Sequence, residues 1–419
     1  MKKAILYLNS ILLSVALVAG GIWNFVSHNT DSAVTKESRK LTDWPSWDLN
    51  ALSEGKWTRQ VEDAFADRFM FRSHAMALAQ KTESLRGLPG EEVKLVTQKS
   101  GDLFNEQAIT KADKSGTTDA AGAPPAGQWV NQMLIIGKAA YGLVGYSDEG
   151  GSYYAQAVNT LASKMGPTIK MYSILVPTAI EFLDDERYTK LSYPQEKGIG
   201  LMYGKLHERV KGINVVPALR EHRDEYIYFR TDHHWTARGA YYAYRAAGAS
   251  MGYTALPMSS YQREEVPGFV GSLTYQTHAA VIENNPDVCE IFYPPGEHTF
   301  TRYYSGGVLG GKAIDKAYML GSNRYTAFIA GDVPRSVAKS TNMNGRKILI
   351  LKDSYGNAFI PFLIPHFQEI HIIDPRYWDG SLPAYVKEQG ITDVLVFNCF
   401  QIVSFYGGFA MNLLRVTGK

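Results

Sequence analysis

Cysteine is scarce. The 419-residue chain has two, Cys289 and Cys399, far apart and in no CxxC or His/Cys cluster. That excludes a disulfide-stapled scaffold and gives no sign of structural zinc. One disulfide in an oxidising compartment and two separate buried thiols both stay open, the second being favoured. A charge excess is also lacking, with 43 Lys and Arg against 41 Asp and Glu, a formal net charge of +2. No broad attraction to nucleic acid follows, and no nucleic-acid partner is expected. No metal and no cofactor is expected either. What is plentiful is tyrosine, 26 in all, which suits stacking on sugars and also ordinary packing, its commoner use. The length allows a large core, in one big domain or two.

A long apolar run, residues 4–26, follows Met1-Lys2-Lys3. A basic start before such a run is an export signal. About 23 residues can span a bilayer, and Trp23 suits its interface. Residues 1–26 are therefore expected to stay as a signal anchor, with cleavage as a signal peptide near Val18-Ala19-Gly20 as the alternative. Lys2 and Lys3 would remain inside. The rest would lie outside the cytoplasm, held at the cell membrane or, after cleavage, secreted. Residues 27–43 read as a polar tether, and 44–419 as the working domain.

Within that domain a helical pattern runs from about residue 49 to 85, and an Ala/Gly/Thr/Pro-rich stretch, 108–128, reads as a flexible loop. Strands are expected at 133–136 and 140–144, a helix at 153–165, a buried strand at 169–176, a helix at 198–210 and a short strand at 213–216. Residues 251–339 read as a β-rich insertion with short strands at 288–293, 299–304 and 325–329, and with Gly331-Asp332 as a hairpin turn, a turn lying near the nucleophile being the alternative. The last part alternates regularly: strands 348–351, 369–373 and 393–397, with helices from about 357 and at 382–388. The class is α/β, a parallel sheet flanked by helices.

The chemistry concentrates in Thr231-Asp232-His233-His234-Trp235-Thr236. An Asp close before a His can orient the imidazole and stabilise it once protonated, so that it deprotonates a hydroxyl. The hydroxyl that fits is Ser354, placed where the apolar strand ends and a helix begins. Backbone N–H groups there, that of Tyr355 among them, could face a developing oxyanion. In an open parallel sheet the chemistry lies beyond the carboxyl ends of the strands, where Ser354, Arg376, Tyr377 and Asn398 all fall. Arg376 and Tyr377 are candidates for holding a glycan or the oxyanion, and His233 for lining the substrate. Neighbouring histidines of an extended segment point to opposite faces, so Asp232, His233 and His234 are not expected to share a metal.

Asp232-His233-His234-Trp235 resembles the signature of the DHHW family, relatives of the alginate O-acetyltransferase accessory proteins with an SGNH-hydrolase-like (flavodoxin-like) fold. Lys352-Asp353-Ser354 is similar to the Gly-Asp-Ser block of SGNH enzymes, with Lys in place of Gly. The resemblance implies a triad of Asp232, His234 and Ser354, with His233 at the variable position, and Asn398 as an oxyanion donor. It further implies O-acetylation of a cell-surface polysaccharide or wall polymer, with a membrane-bound O-acyltransferase as the partner supplying the acyl group. A carbohydrate acetylesterase using the same triad is one alternative. A non-catalytic glycan-binding scaffold of a wall-assembly complex is the other.

Overall fold

The computed structural model describes residues 44–48, 52, 56–67, 93–97, 132–320, 324–404 and 408–419. The expected anchor 1–26, tether 27–43 and loop 108–128 lie outside the described residues, as does the helical pattern from 68 to 85. No helix among the described residues is long and apolar enough to cross a membrane. The chain divides into two units. In the smaller one, helix α1 (Lys56–Asp67) begins beside Trp47, whose ring meets that of Trp57 edge-on, and the Trp57 indole donates to Ser46 O at 3.1 Å.

The larger unit starts with a three-stranded antiparallel sheet of β1 (Val93–Thr97), β2 (Gln132–Ile136) and β3 (Ala139–Gly142). Helix α2 (Asp148–Lys164) follows. Ser147 caps it by accepting from the Gly150 N–H, and Asp148 and Glu149 sit in its positive first turn. Next come β4 (Lys170–Val176), α3 (Gln195–Tyr203) and β5 (Val210–Ile213). The helix expected to reach residue 210 stops at Tyr203, and the strand after it starts three residues early. Gly204 ends the helix, and Val210 must lie beside Met171 of β4 to join the sheet. Helix α4 (Ala237–Met251) is capped by the Thr236 side chain and closed by Gly252, at φ 71°.

The β-rich stretch splits in two. Strands β6 (Gln262–Phe269) and β7 (Asp287–Tyr293) pair as a separate ribbon. Strands β8 (His298–Tyr304), β9 (Gly307–Gly311) and β10 (Arg335–Ser340) instead extend the main sheet. The strand expected at 325–329 is a 3-10 turn, Arg324–Ala327, followed by positive φ at Ile329 (51°) and Ala330 (61°). The apolar, β-branched composition misled there because tertiary hydrogen bonds hold the turn, Ile329 N–H to Ala313 O among them. Then follow β11 (Lys347–Lys352), α5 (Gly356–Leu363), β12 (Glu369–Ile373), α6 (Leu382–Gln389), β13 (Asp393–Cys399) and α7 (Gly408–Thr417).

The main sheet runs β5-β4-β13-β11-β12-β10-β8-β9, parallel from β5 to β12 and antiparallel beyond. Each face carries its own apolar cluster. Ile348 and Ile350 of β11 enter one, with residues of α4 and α5, while Leu349 and Leu351 enter the other, with residues of α2, α6 and α7. A central strand covered on both faces needs apolar residues at every position, which is why this stretch shows no alternation. Each fully buried aliphatic there is worth about 1.5–3 kcal/mol. The carboxyl ends of β11, β12 and β13 therefore sit on a rigid platform.

Candidate active site

Strand β11 ends at Lys352, and the turn Asp353-Ser354-Tyr355 leads directly into α5. Ser354 is partly exposed between buried neighbours. The His234 ring lies against it, Nε2 2.7 Å from Ser354 Oγ, and its Nδ1 stands 2.6 Å from Asp232 Oδ1. Asp232 also accepts from the backbone N–H of His234 (3.0 Å) and, through Oδ2, from that of Ser272 (2.8 Å). Burial by itself raises the Asp232 carboxyl. The imidazoles of His234 and His233 and these donors outweigh burial and hold the group well below the usual carboxylate range.

Two bonds tie the motif segments together. The Trp235 indole donates to the Tyr355 carbonyl at 3.0 Å, and the Tyr355 hydroxyl donates to the His233 carbonyl. Trp235 is fully buried and its indole bond fixes the motif against the serine turn. The His234 ring is also held between two others. Tyr325 stacks on one side, centroids 3.9 Å apart at 10°, and His233 on the other, 3.8 Å apart at 39°.

The expectation that His233 and His234 face opposite ways fails, because the chain bends at 230–234 instead of extending. Donor atoms of Asp232, His233 and His234 lie within 4.8 Å of one another. Those atoms are bonded among themselves and to their surroundings, with His233 Nδ1 2.6 Å from Ser272 Oγ and His234 reaching Ser354. A metal would have to displace these bonds.

The expected oxyanion donors are placed otherwise. The Tyr355 N–H donates to Asp353 Oδ1 (3.0 Å), while the Asn398 amide (3.1 Å) and the Cys399 N–H (2.8 Å) donate to Asp353 Oδ2. Asn398 is fully buried and does not reach the surface of the site. The reason is the Asp353 carboxyl, whose bonds from Asn398 and Cys399 fasten the end of β11 to the end of β13, while its bond from Tyr355 closes the serine turn. Burial keeps its pKa raised against the opposing influence of Arg376 and these donors. The Ser354 N–H itself makes no hydrogen bond among the described residues. Cys289 and Cys399 are separate buried thiols.

Arg376 is committed to carboxylates. It grips Asp374 through Nε (2.9 Å) and Nη2 (2.6 Å) and reaches Asp332 Oδ2 at 2.9 Å. Tyr377 beside it is 54% exposed. Lys352, where a glycine stands in the resembling block, is buried with its ammonium 2.6 Å from Asp332 Oδ1 and 2.6 Å from Asn357 Oδ1. Burial would raise Asp332, yet Lys352 and Arg376 hold it low. Sequence reasoning missed Tyr325, Ser272 and the part played by Asp332. Only the Gly331-Asp332 pair was visible, as a turn. It also missed Asp287 of β7, whose Oδ2 accepts from the N–H groups of Arg230 (3.1 Å) and Thr231 (2.8 Å) and sets the approach to the motif.

No functionally curated protein matches the chain. Among solved structures, a DHHW family protein from Eubacterium siraeum is 33% identical, with TM-score 0.60, over 68% of this chain and 96% of that one. Bacillus cereus PatB1, solved with a sulfonyl adduct, is 20% identical with TM-score 0.54, over 65% of this chain and 95% of its own. At that identity the likeness to PatB1 is one of fold. The family model described as DHHW protein matches residues 97–373, a span that takes in both motif segments, and the chain belongs to that family.

Proposed function

We propose that this protein is an extracytoplasmic O-acyltransferase that places an acyl group, acetyl by expectation, on a hydroxyl of a cell-surface polysaccharide or wall polymer. One observation carries the reading: His234 touches the Ser354 hydroxyl at 2.7 Å with one nitrogen and Asp232 at 2.6 Å with the other. In this mechanism His234 takes the Ser354 proton as Oγ attacks the acyl carbonyl. Asp232 steadies the imidazolium, and the unspent Ser354 N–H stabilises the oxyanion in place of Tyr355 and Asn398. His234 then returns the proton to the departing group, leaving acyl-Ser354. An acceptor hydroxyl gives its proton to His234, attacks the ester and restores the serine.

The reading includes retention at the membrane by residues 1–26 and a membrane-bound O-acyltransferase that hands over the acyl group. The partial exposure of Ser354 admits water, which favours an esterase as the second reading. PatB1 carries a sulfonyl adduct in one structure, so a sulfonyl fluoride is the reagent of choice. It should label Ser354 in the wild-type chain and fail with Ser354→Ala and His234→Ala, both folded by circular dichroism. Absence of labelling in the wild type would remove the enzyme reading. With an activated acetyl ester, an acetylated oligosaccharide marks a transferase, and acetate alone marks an esterase.

A further inference from the structure

We infer that His233 docks the acceptor alcohol, a neutral sugar hydroxyl, beside acyl-Ser354. The inference rests on the acyl-enzyme reading above. The His233 ring packs 3.8 Å from that of His234, which touches the nucleophile. Unlike its neighbour it is partly exposed, its side chain 38% exposed against 7% for His234. Its Nδ1 is taken by Ser272 Oγ at 2.6 Å, and its Nε2 makes no hydrogen bond among the described residues. Its backbone is pinned by the Tyr355 hydroxyl.

Each of these contacts fixes the ring and none uses the outer nitrogen. Ser272 serves both histidines, because its backbone N–H braces Asp232 while its hydroxyl sets His233. Loss of solvation, with His234 alongside, lowers the His233 pKa from 6.5. The ring is then neutral near pH 7, suited to a hydroxyl rather than a carboxylate or phosphate. The surrounding acids, Asp232 and Asp332, also disfavour an anionic acceptor. In the transfer step the attacking hydroxyl passes its proton to His234 Nε2, its oxygen bonds to the acyl carbon, and Ser354 Oγ leaves and regains that proton. His233 Nε2 holds the alcohol, or the hydroxyl next to it, while this occurs.

The test uses the full purified chain, an activated acetyl ester and a methyl hexoside as the acceptor probe. The quantity read is the ratio of acetylated hexoside to free acetate. A purely structural fault lowers both products together, whereas loss of acceptor docking shifts the ratio. His233→Ala should lower the ratio about tenfold, the worth of one neutral hydrogen bond. It should also raise the KM for the hexoside, and His233→Gln should recover part of both effects. An unchanged ratio in His233→Ala overturns the inference. So does a wild-type protein that is labelled at Ser354 yet makes only acetate. A wild-type protein that is not labelled at all instead removes the acyl-enzyme reading.

Discussion

The indole of Trp235 donates to the backbone carbonyl of Tyr355 at 3.0 Å, across 120 residues of chain. With the return bond from the Tyr355 hydroxyl to His233, it locks the acid–imidazole segment to the serine turn. Trp235→Phe keeps most of the packing but leaves a buried carbonyl unsatisfied, at about 1–3 kcal/mol. Chemical denaturation should show that loss, and sulfonyl labelling of Ser354 should slow more than the stability change explains. Labelling at the wild-type rate would show that the bond does not align the site.

Tyr325 lies flat on His234, centroids 3.9 Å apart. Tyr325→Ala removes one wall of the slot that holds the imidazole, while Tyr325→Phe keeps the stacked ring. Ester turnover should fall about tenfold or more for Ala and much less for Phe, since orientation of the base contributes on that scale. Equal losses in the two variants would assign the effect to the hydroxyl instead.

A Cβ on Gly271 would stand 2.2 Å from Asp232 Cβ and 2.7 Å from its Cα. Neither atom is the far end of a flexible side chain, so Gly271→Ala must push the motif aside. The expected cost is about 1–3 kcal/mol in stability, with a larger proportional loss of labelling because Asp232 moves. A variant with wild-type melting temperature and turnover would contradict this packing.

Lys352 and Asp332 form an ion pair at 2.6 Å with the lysine buried. Removing one partner of a buried pair costs about 3–5 kcal/mol, so Lys352→Met should destabilise on that order. Asp332 keeps Arg376, which trims the loss. Lys352→Met with Asp332→Asn should recover part of it, and a double-mutant cycle measures the coupling. Strict additivity would show that the pair is not energetically linked.

Loss of solvation pushes His371, wedged between Tyr385 and Glu369, and His366, bonded to Tyr244, down to about 4 from 6.5. Both pKa values are lower folded than unfolded. Below about pH 6.5 the unfolded chain therefore binds protons that the folded chain does not. The stability is fully present above the unfolded value and is lost progressively as the pH falls towards 4. Melting temperatures read across that window should decline, and His371→Gln should flatten the slope. A constant melting temperature there would rule the linkage out.

Where local sequence carried the information, it read correctly. Four aliphatics in a row at 348–351 mean a doubly buried strand in any fold, and a serine after such a strand stands at the sheet's rim. Asp232 and His234 are near neighbours in sequence, so their pairing is a local matter. The helix ending at Gly204 and the 3-10 turn at 324–327 went astray because sheet register and distant hydrogen bonds set those boundaries.

Composition and pattern alone determined the α/β class, the strand that delivers Ser354 and the acid–imidazole pair. Tertiary structure alone decided that Asp353 takes the amide of Asn398, that His233 shares a side with His234, and that Arg376 reaches Asp332. Apolar periodicity reports which face is buried, and a short motif reports chemistry within a few residues. The bond from the Trp235 indole to the Tyr355 carbonyl, spanning 120 residues, leaves no trace in either, because its partner is chosen by how the whole sheet stacks its strand ends.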